Sequence, residues 1–194
     1  MLKDPTIELA LFPLSAHILP GGRMQLRIFE RRYIRMVREA CAGRMHFGIC
    51  MLNNKGDQER NQHIYPISTM VEVIDFTVLE DGLLGITVEA GRCVRIESIR
   101  TEPDGLRIGQ CRWVDEWKWD AQPQSIQPIG QKLREIFQRF PEMNNLHTDP
   151  RFDDPLWVLF RWLEMLPVDA GYKQSLLQEK DCRKILRFLT QLVD

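Results

Sequence analysis

The sequence lacks an excess of charge of either sign. Among its 194 residues, 26 Lys and Arg oppose 27 Asp and Glu, and the formal net charge at pH 7 is −1. A protein with so little net charge has no long-range field that would draw it onto nucleic acid or an anionic membrane. Binding to either partner would therefore depend on a local patch of side chains.

Paired cysteines and long apolar runs are lacking as well. The five cysteines are an odd number and form no Cys-x-x-Cys pair, which favours buried thiols in a reducing compartment. No stretch approaches the roughly 20 apolar residues of a transmembrane helix, and the first residues contain no apolar run typical of a signal peptide. We therefore expect a cytoplasmic protein that does not associate with membranes.

The signatures of common enzyme classes are absent. The chain has no Walker-type phosphate loop, no Gly-x-Ser-x-Gly elbow, no His-Glu-x-x-His helix and no dinucleotide-binding glycine pattern. Its four histidines lie far apart, without the spacing of metal ligands. His46 and Cys50 would share one face of a strand, but we favour an inert core thiol over a nucleophile. We expect a protein that is not an enzyme and holds no cofactor and no metal.

Residues 1–120 are dominated by alternating apolar and polar residues, the pattern of half-buried strands. One amphipathic helix, with its apolar stripe running from Phe29 to Cys41, interrupts the strands. Pro13 and Pro20 bracket a loop. About six strands are enough to curl into a small barrel. The predicted strands lie in residues 7–11, 24–28, 47–52, 70–79, 83–90, 92–100 and 106–114, and the last ones form a meander with Asp-Gly turns.

After a linker at residues 121–124, the apolar spacing changes from 2 to 3.6. Four amphipathic helices are predicted, with starts at Ser125, Asp154 and Asp169 and a last helix beginning at Cys182. Four such helices imply a small bundle. The sequence thus predicts an α+β chain of two domains, a β-barrel with one inserted helix over residues 1–120 and an α-helical bundle over residues 121–194.

Seven arginines lie between Arg23 and Arg44, against only two acidic residues. Arg31, Arg35 and Arg38 follow one another at helical spacing, on the face opposite the apolar stripe. Such a row can bind phosphate or an acidic peptide. Solvated helix faces of this kind are common, however, and we favour that interpretation.

Trp113, Trp117 and Trp119 cluster at the end of the last predicted strand. Exposed tryptophans can form an apolar groove that binds a peptide. Large aromatic residues also fill the junction between two domains, and we favour this role for the cluster.

Short motifs follow one another along nearly the whole chain. They include Leu11-Phe12-Pro13-Leu14, Leu19-Pro20-Gly21-Gly22, Leu26-Arg27-Ile28-Phe29-Glu30, Leu79-Glu80-Asp81-Gly82, Glu89-Ala90-Gly91-Arg92 and Lys173-Gln174-Ser175-Leu176-Leu177. In this order and spacing, they resemble the N-terminal, substrate-binding domain of the Lon protease family, including its short stand-alone bacterial members. The chain departs from the family at Ser68, where a glycine usually precedes the residue equivalent to Thr69.

The resemblance implies a PUA-like β-barrel followed by a helical bundle, and a module that binds substrate polypeptide. The ATPase and Ser-Lys peptidase of full-length Lon proteases are not encoded in these residues, so the resemblance implies a non-catalytic chain. Its implied partner is an unfolded or apolar polypeptide, with a protease as a further candidate. Because PUA-like barrels elsewhere bind RNA, an RNA-binding module that uses the cluster from Arg23 to Arg44 is the alternative.

A peptide site requires exposed apolar surface. Prolines restrict the loop that follows Phe12, so a partner docking there would lose less conformational entropy than on a flexible loop. The tryptophans beside the linker are the other source of apolar surface. We hypothesise that Phe12, Leu14, Trp117 and Trp119 contribute to a groove for extended apolar peptide at the junction of barrel and bundle.

Overall fold

The computed structural model describes residues 6–193. The chain divides into two compact units, the first ending at Asp115 and the second beginning at Glu116. The fold is of the mixed α+β class. The first unit contains β1 (Ile7–Leu14), β2 (Arg23–Ile28), α1 (Arg31–Cys41), β3 (Phe47–Leu52), β4 (Ile64–Val78), β5 (Leu84–Thr101) and β6 (Arg107–Trp113).

Strand β5 pairs with three other strands because it is 18 residues long. Residues 84–89 pair with β2 and residues 94–101 pair with β6, while β4 lies along the opposite edge. The strand order is β2-β5-β4-β3-β1-β6. Since β5 also pairs with β6, the hydrogen-bonded ladders connect β5, β4, β3, β1 and β6 into a ring, with β2 outside it.

The sequence predicted two strands where β5 is one. The predicted break lies at Gly91, but the structure continues the strand through it. The register of the β4–β5 pair shifts between Thr69 and Val71, directly opposite this glycine. A β-bulge therefore accommodates Gly91 without ending the strand. Strand β4 also begins earlier than predicted, at Ile64.

Strand β1 continues through Pro13, where the sequence predicted the start of a loop. β6 pairs with β1 only as far as Leu11, while β3 follows β1 in parallel to Leu14. Proline is tolerated at an unpaired strand edge because its missing N–H breaks no ladder bond there. Phe12 and Leu14 thus lie on a strand.

Both faces of β1 are buried. Leu9 and Leu11 belong to one apolar cluster, whereas Ala10 and Phe12 belong to a second cluster that includes the buried face of α1. Side chains alternate between the two faces of a strand, so β1 contributes to both clusters. Phe29, which the sequence assigned to the buried stripe of α1, is 64% exposed, because the helix begins only at Arg31.

The second unit contains α2 (Gln127–Arg139), α3 (Pro141–Leu146), α4 (Pro155–Met165), α5 (Ala170–Glu179) and α6 (Cys182–Val193). The Asp154 carboxylate accepts hydrogen bonds from the backbone N–H groups of Leu156 and Trp157, and Asp169 caps α5 in the same way. Ser125 is not a helix cap, since its hydroxyl donates to the Gln122 carbonyl within a 3-10 turn that precedes α2. The short helix α3 was not predicted; it begins at a proline, which suits a first helical turn.

Helices α2, α4 and α6 contact one another. The indole N–H of Trp162 on α4 donates to the carbonyl of Ile129 on α2, at 3.0 Å. Among residues 6–193, no helix has both the length and the apolar character that crossing a membrane requires.

Candidate functional site

A cavity of about 270 Å³ lies in the first unit. The ends of β1 and β3 meet there, because the two strands run parallel and finish side by side at Leu14 and Leu52. The end of β2, the start of α1, the loop before β4 and the start of β6 complete the walls. The apolar lining is Phe12, Pro13, Leu14, Leu26, Ile28, Phe29, Tyr33 and Leu52, and the polar lining is Arg27, Glu30, Arg32, Gln58, His63 and Arg107.

Aromatic side chains form one wall of the cavity. The rings of Phe12 and Tyr33 have their centroids 4.2 Å apart, and Phe12 is only 6% exposed. Burial raises the pKa of Tyr33, so its hydroxyl stays neutral at physiological pH. Phe29, by contrast, is the exposed aromatic residue of the lining.

Three guanidinium groups line the same cavity, and they differ in their partners. Arg27 forms an ion pair with Asp81, and Arg32 forms one with Glu30 at 2.7 Å. Arg107 is bonded to neutral groups instead. Its Nε donates to the side-chain oxygen of Asn61 at 2.7 Å and its Nη2 donates to the carbonyl of Gln58 at 3.3 Å. No carboxylate among residues 6–193 pairs with Arg107.

His63 is the most buried polar residue of the lining, at 6% exposed. Its Nδ1 is buried and has no hydrogen-bond partner among the described residues. Burial lowers the pKa of His63, and the positive charges of Arg107 and Arg32 lower it further, while a hydrogen bond to the main chain of Asp57 opposes both. The imidazole is therefore neutral at pH 7.

The structure brings together half of the residues predicted for a peptide groove. Phe12 and Leu14 line the cavity, whereas Trp117 and Trp119 belong to the second unit. Trp117 packs edge-on against Phe160, with ring centroids 5.5 Å apart. The indole nitrogen of Trp119 is buried without a hydrogen-bond partner among the described residues. Both tryptophans are half-buried.

The predicted basic row on α1 is interrupted by ion pairs. Arg35, its middle member, pairs with Glu102 and with Asp104, and these carboxylates raise the pKa of its guanidinium. Arg31 and Arg38 are exposed. In all, six of the seven arginines have acidic partners. The pairs are Arg23 with Glu89, Arg27 with Asp81, Arg32 with Glu30, Arg35 with Glu102 and Asp104, Arg38 with Glu39, and Arg44 with Glu39.

Only part of the polar lining was predicted from the sequence: Arg27 and Arg32 belong to the arginine cluster between Arg23 and Arg44, whereas His63 and Arg107 were not predicted. His63 and Arg107 are far apart in sequence, and only the pairing of β1 with β3 and β6 brings their neighbourhoods to one place. Arg32 belongs to the predicted arginine cluster but not to the row of Arg31, Arg35 and Arg38. Its Nη1 donates to the Gly105 carbonyl at 3.0 Å and its guanidinium lies 4.8 Å from the Tyr33 ring.

The groups considered for chemistry lie apart from this cavity. Burial raises the pKa of Cys50 to about 12, so its thiol stays protonated, and His46 is exposed while Cys50 is buried. Over the part of the chain that the structure describes, no three His, Cys, Asp or Glu residues form a group that could hold a metal ion.

The chain is thus an α+β protein whose first unit contains a cavity with apolar and cationic lining. The family model of the ATP-dependent protease La (LON) substrate-binding domain matches residues 8–194. The chain therefore belongs to the family of Lon substrate-binding domains. No curated protein matches it at a significant level.

Two solved structures show the same likeness. The chain is 29% identical to a Lon N-terminal domain protein from Xanthomonas campestris, with a TM-score of 0.73 and coverage of 95% of this chain and 98% of that one. It is 14% identical to the N-terminal domain of the Mycobacterium avium complex Lon protease, with a TM-score of 0.70. The alignment covers 96% of this chain and 98% of that one. At this lower identity, the second likeness is one of fold.

Proposed function

We propose that this chain is a non-catalytic module that binds unfolded or apolar segments of polypeptide. The observation that carries the proposal is the cavity of the first unit, whose wall combines Phe12, Leu14 and the exposed ring of Phe29. Apolar clefts with a few polar groups are the usual form of a binding site. Membership of a substrate-binding family supports polypeptide as the ligand. A protease that accepts the bound polypeptide is the partner that this function implies.

The proposal extends to the finer architecture. We take the ring of strands as a PUA-like β-barrel and the helices of the second unit as a bundle, with domains over residues 1–120 and 121–194. The closed pairing of β5 with β6 supports the barrel, and the mutual contacts of α2, α4 and α6 support the bundle. We place the protein in the cytoplasm, where its free cysteines would stay reduced.

An exposed apolar patch provides a second surface for an extended chain. Ile74, Phe76 and Val78 alternate along β4 and are 44%, 53% and 79% exposed. Side chains two apart share a face of a strand, so Phe76 and Val78 form one row. Ile74 precedes them at the shift of register between Val73 and Asp75. Apolar groups that remain exposed in a folded protein commonly mark interaction surfaces.

The test compares two exposed phenylalanines. An unfolded model polypeptide is titrated against the parent, against Phe29→Ser and against Phe140→Ser, in which the replaced ring is 43% exposed in the second unit. Both substitutions are expected to leave the melting temperature nearly unchanged, because exposed side chains contribute little to stability. We expect Phe29→Ser to weaken binding by about five-fold or more, since it removes roughly 1 kcal/mol or more of apolar contact.

Equal affinities for the parent and Phe29→Ser would contradict a site at this cavity. A loss of affinity of the same size in Phe140→Ser would show that exposed aromatic rings bind the polypeptide non-specifically. Failure of the parent to bind the polypeptide at all would overturn the proposed function.

RNA binding through the cluster from Arg23 to Arg44 remains the alternative function. Binding to phosphates requires cations that are free to release their counterions. Six of the seven arginines already have carboxylate partners, which reduces the positive potential of the cluster. We therefore rank polypeptide binding first.

A further inference from the structure

The buried imidazole of His63 lacks a partner on one side. The residue is 6% exposed and lines the cavity, and its Nδ1 makes no hydrogen bond with any described residue. Leaving a buried polar atom unpaired costs about 1–3 kcal/mol, and native structures rarely do so without a functional reason. The hydrogen bond to the Asp57 main chain raises the pKa of His63, so the other ring nitrogen donates it. Nδ1 of the neutral ring is then an acceptor, and it can donate to a ligand oxygen once an anion in the cavity favours the protonated ring.

Arg107 lines the same cavity, and some of its guanidinium N–H groups make no hydrogen bond among the described residues. A guanidinium carries five N–H donors, and the bonds to Asn61 and Gln58 are made by Nε and Nη2. Both partners are neutral, so the positive charge is not balanced by a carboxylate of the described chain. The Nε of Arg32, another residue of the lining, is also buried without a hydrogen bond among the described residues. These donors favour an anionic ligand with two oxygens.

The N-terminus of α1 adds to the positive potential. The helix has 11 residues, its first turn carries no acidic residue, and the Glu30 side chain that precedes it makes no capping hydrogen bond. That carboxylate pairs with Arg32 instead. The backbone N–H groups of an uncapped first turn attract anions, and Glu30 and Arg32 both line the cavity.

The remaining walls are apolar, and the space is small. A cavity of about 270 Å³ lies just under the range of roughly 300–1,000 Å³ that encloses drug-sized ligands. It accommodates one large side chain with its backbone groups. A ligand that ends in a carboxylate and carries an apolar side chain beside it fits both the size and the chemistry of the walls.

We propose that this cavity binds the C-terminal residue of a polypeptide, with the terminal carboxylate at Arg107 and His63 and an apolar last side chain against Phe12 and Leu14. The inference rests on the proposed function and specifies which part of the polypeptide is recognised. Capture of a terminal carboxylate by convergent N–H donors is an established mode of peptide recognition in other folds.

The first test varies the ligand and leaves the protein intact. Three short peptides are titrated against the parent. The first two share one sequence that ends in phenylalanine, one with a free terminal carboxylate and the other with a terminal amide. The third is the amide peptide with aspartate in place of the residue before phenylalanine. We expect the free acid to bind about ten-fold tighter than either amide, the effect of a charge-assisted hydrogen bond. Equal binding of acid and amide overturns the inference, and so does recovery of affinity by the aspartate.

The second test varies the cation. Arg107→Gln is expected to bring the acid-to-amide ratio to within about two-fold, while Arg107→Lys retains part of it. Arg112→Gln is the matched control, because Arg112 lies on the same strand but pairs with Glu97 outside the cavity lining. An unchanged ratio in a folded Arg107→Gln protein, or an equal loss in the control, overturns the assignment.

The third measurement follows the His63 ring by NMR. In the free protein, burial and the charges of Arg107 and Arg32 hold the pKa of His63 low, while a hydrogen bond to the main chain of Asp57 opposes them. Glu30 is the one carboxylate among the described residues of the cavity lining. A bound carboxylate favours the imidazolium, so the free-acid peptide should raise this pKa and the amide should not. The absence of a difference counts against the inference.

The failures of the two proposals are distinguishable. If the parent binds an unfolded polypeptide but does not discriminate acid from amide, the inference fails and the proposed function stands. If the parent binds neither the polypeptide nor any peptide, both fail.

Discussion

Ser68 illustrates how one side chain depends on a neighbouring backbone. Its hydroxyl donates to the Ile49 carbonyl at 3.0 Å and lies 3.2 Å from the Cys50 sulfur. A Cβ added to Gly48, on the neighbouring strand β3, would lie 2.7 Å from this hydroxyl oxygen. The buried serine therefore occupies space that the missing side chain of Gly48 provides.

We expect Gly48→Ala to destabilise the protein by about 1–3 kcal/mol, the usual cost of overpacking a buried site. In a Ser68→Gly background the same change should cost less, because the closest contact is gone. A double-mutant cycle by chemical denaturation measures this coupling. Additive effects of the two substitutions would mean that the contact with the Thr69 carbonyl, at 3.3 Å, dominates instead.

At the residue scale, the sequence predicted the apolar positions better than the polar ones. Phe12 lies in a short sequence motif and Tyr33 lies in the apolar stripe of a helix, and both residues line the cavity. His63 and Arg107 have no local signature, because their role depends on strands that pair across long separations in sequence. Phe29 fits the helical spacing of the apolar stripe but precedes the helix, whose first residue is Arg31.

At the scale of elements, the segment that carries Trp117 and Trp119 decides between packing and peptide binding. The contact of Trp117 with Phe160 and the buried indole nitrogen of Trp119 favour packing within the second unit. The original hypothesis of a groove that includes both residues stays a prediction.

The double variant Trp117→Ala, Trp119→Ala separates the two roles. We expect a lower melting temperature, because truncating a partly buried aromatic residue removes roughly 2–4 kcal/mol, and an unchanged affinity for an unfolded model polypeptide at a temperature where the variant is folded. Trp113→Ala serves as a comparison in the first unit. Lost affinity at unchanged stability would restore the tryptophans to the binding site.

The elements also show where local patterns fail. Alternation predicted the strands but divided β5 at Gly91, since a bulge is a property of a strand pair and not of one strand. The spacing of Arg31, Arg35 and Arg38 was correct for a helix. The ion pairs of Arg35 depend on Glu102 and Asp104, which follow β5 and could not be placed beside α1 from sequence.

At the scale of the whole molecule, charge balance predicts how binding responds to salt. The net charge is −1, and the arginine cluster is largely paired. We expect the affinity for an unfolded polypeptide without charged termini to change by less than about three-fold between low and high salt, because apolar contacts are not screened. Fluorescence titration at several salt concentrations measures this.

A steep fall in affinity with salt would indicate phosphate-like or other charged recognition and would favour the RNA alternative, for which losses of about 10³ are usual. A triple variant Arg31→Gln, Arg35→Gln, Arg38→Gln gives the matching control. Its effect on binding should be small if the row on α1 is a solvated face.

The position of β2 outside the ring has a dynamic consequence. Because β2 is bonded to β5 alone among the described strands, it can detach without interrupting the ladders that join the other five. This strand carries Leu26 and Ile28, which line the cavity. Local detachment of this one strand would therefore open the pocket and give a bulky chain end a route of entry while the ring stays closed.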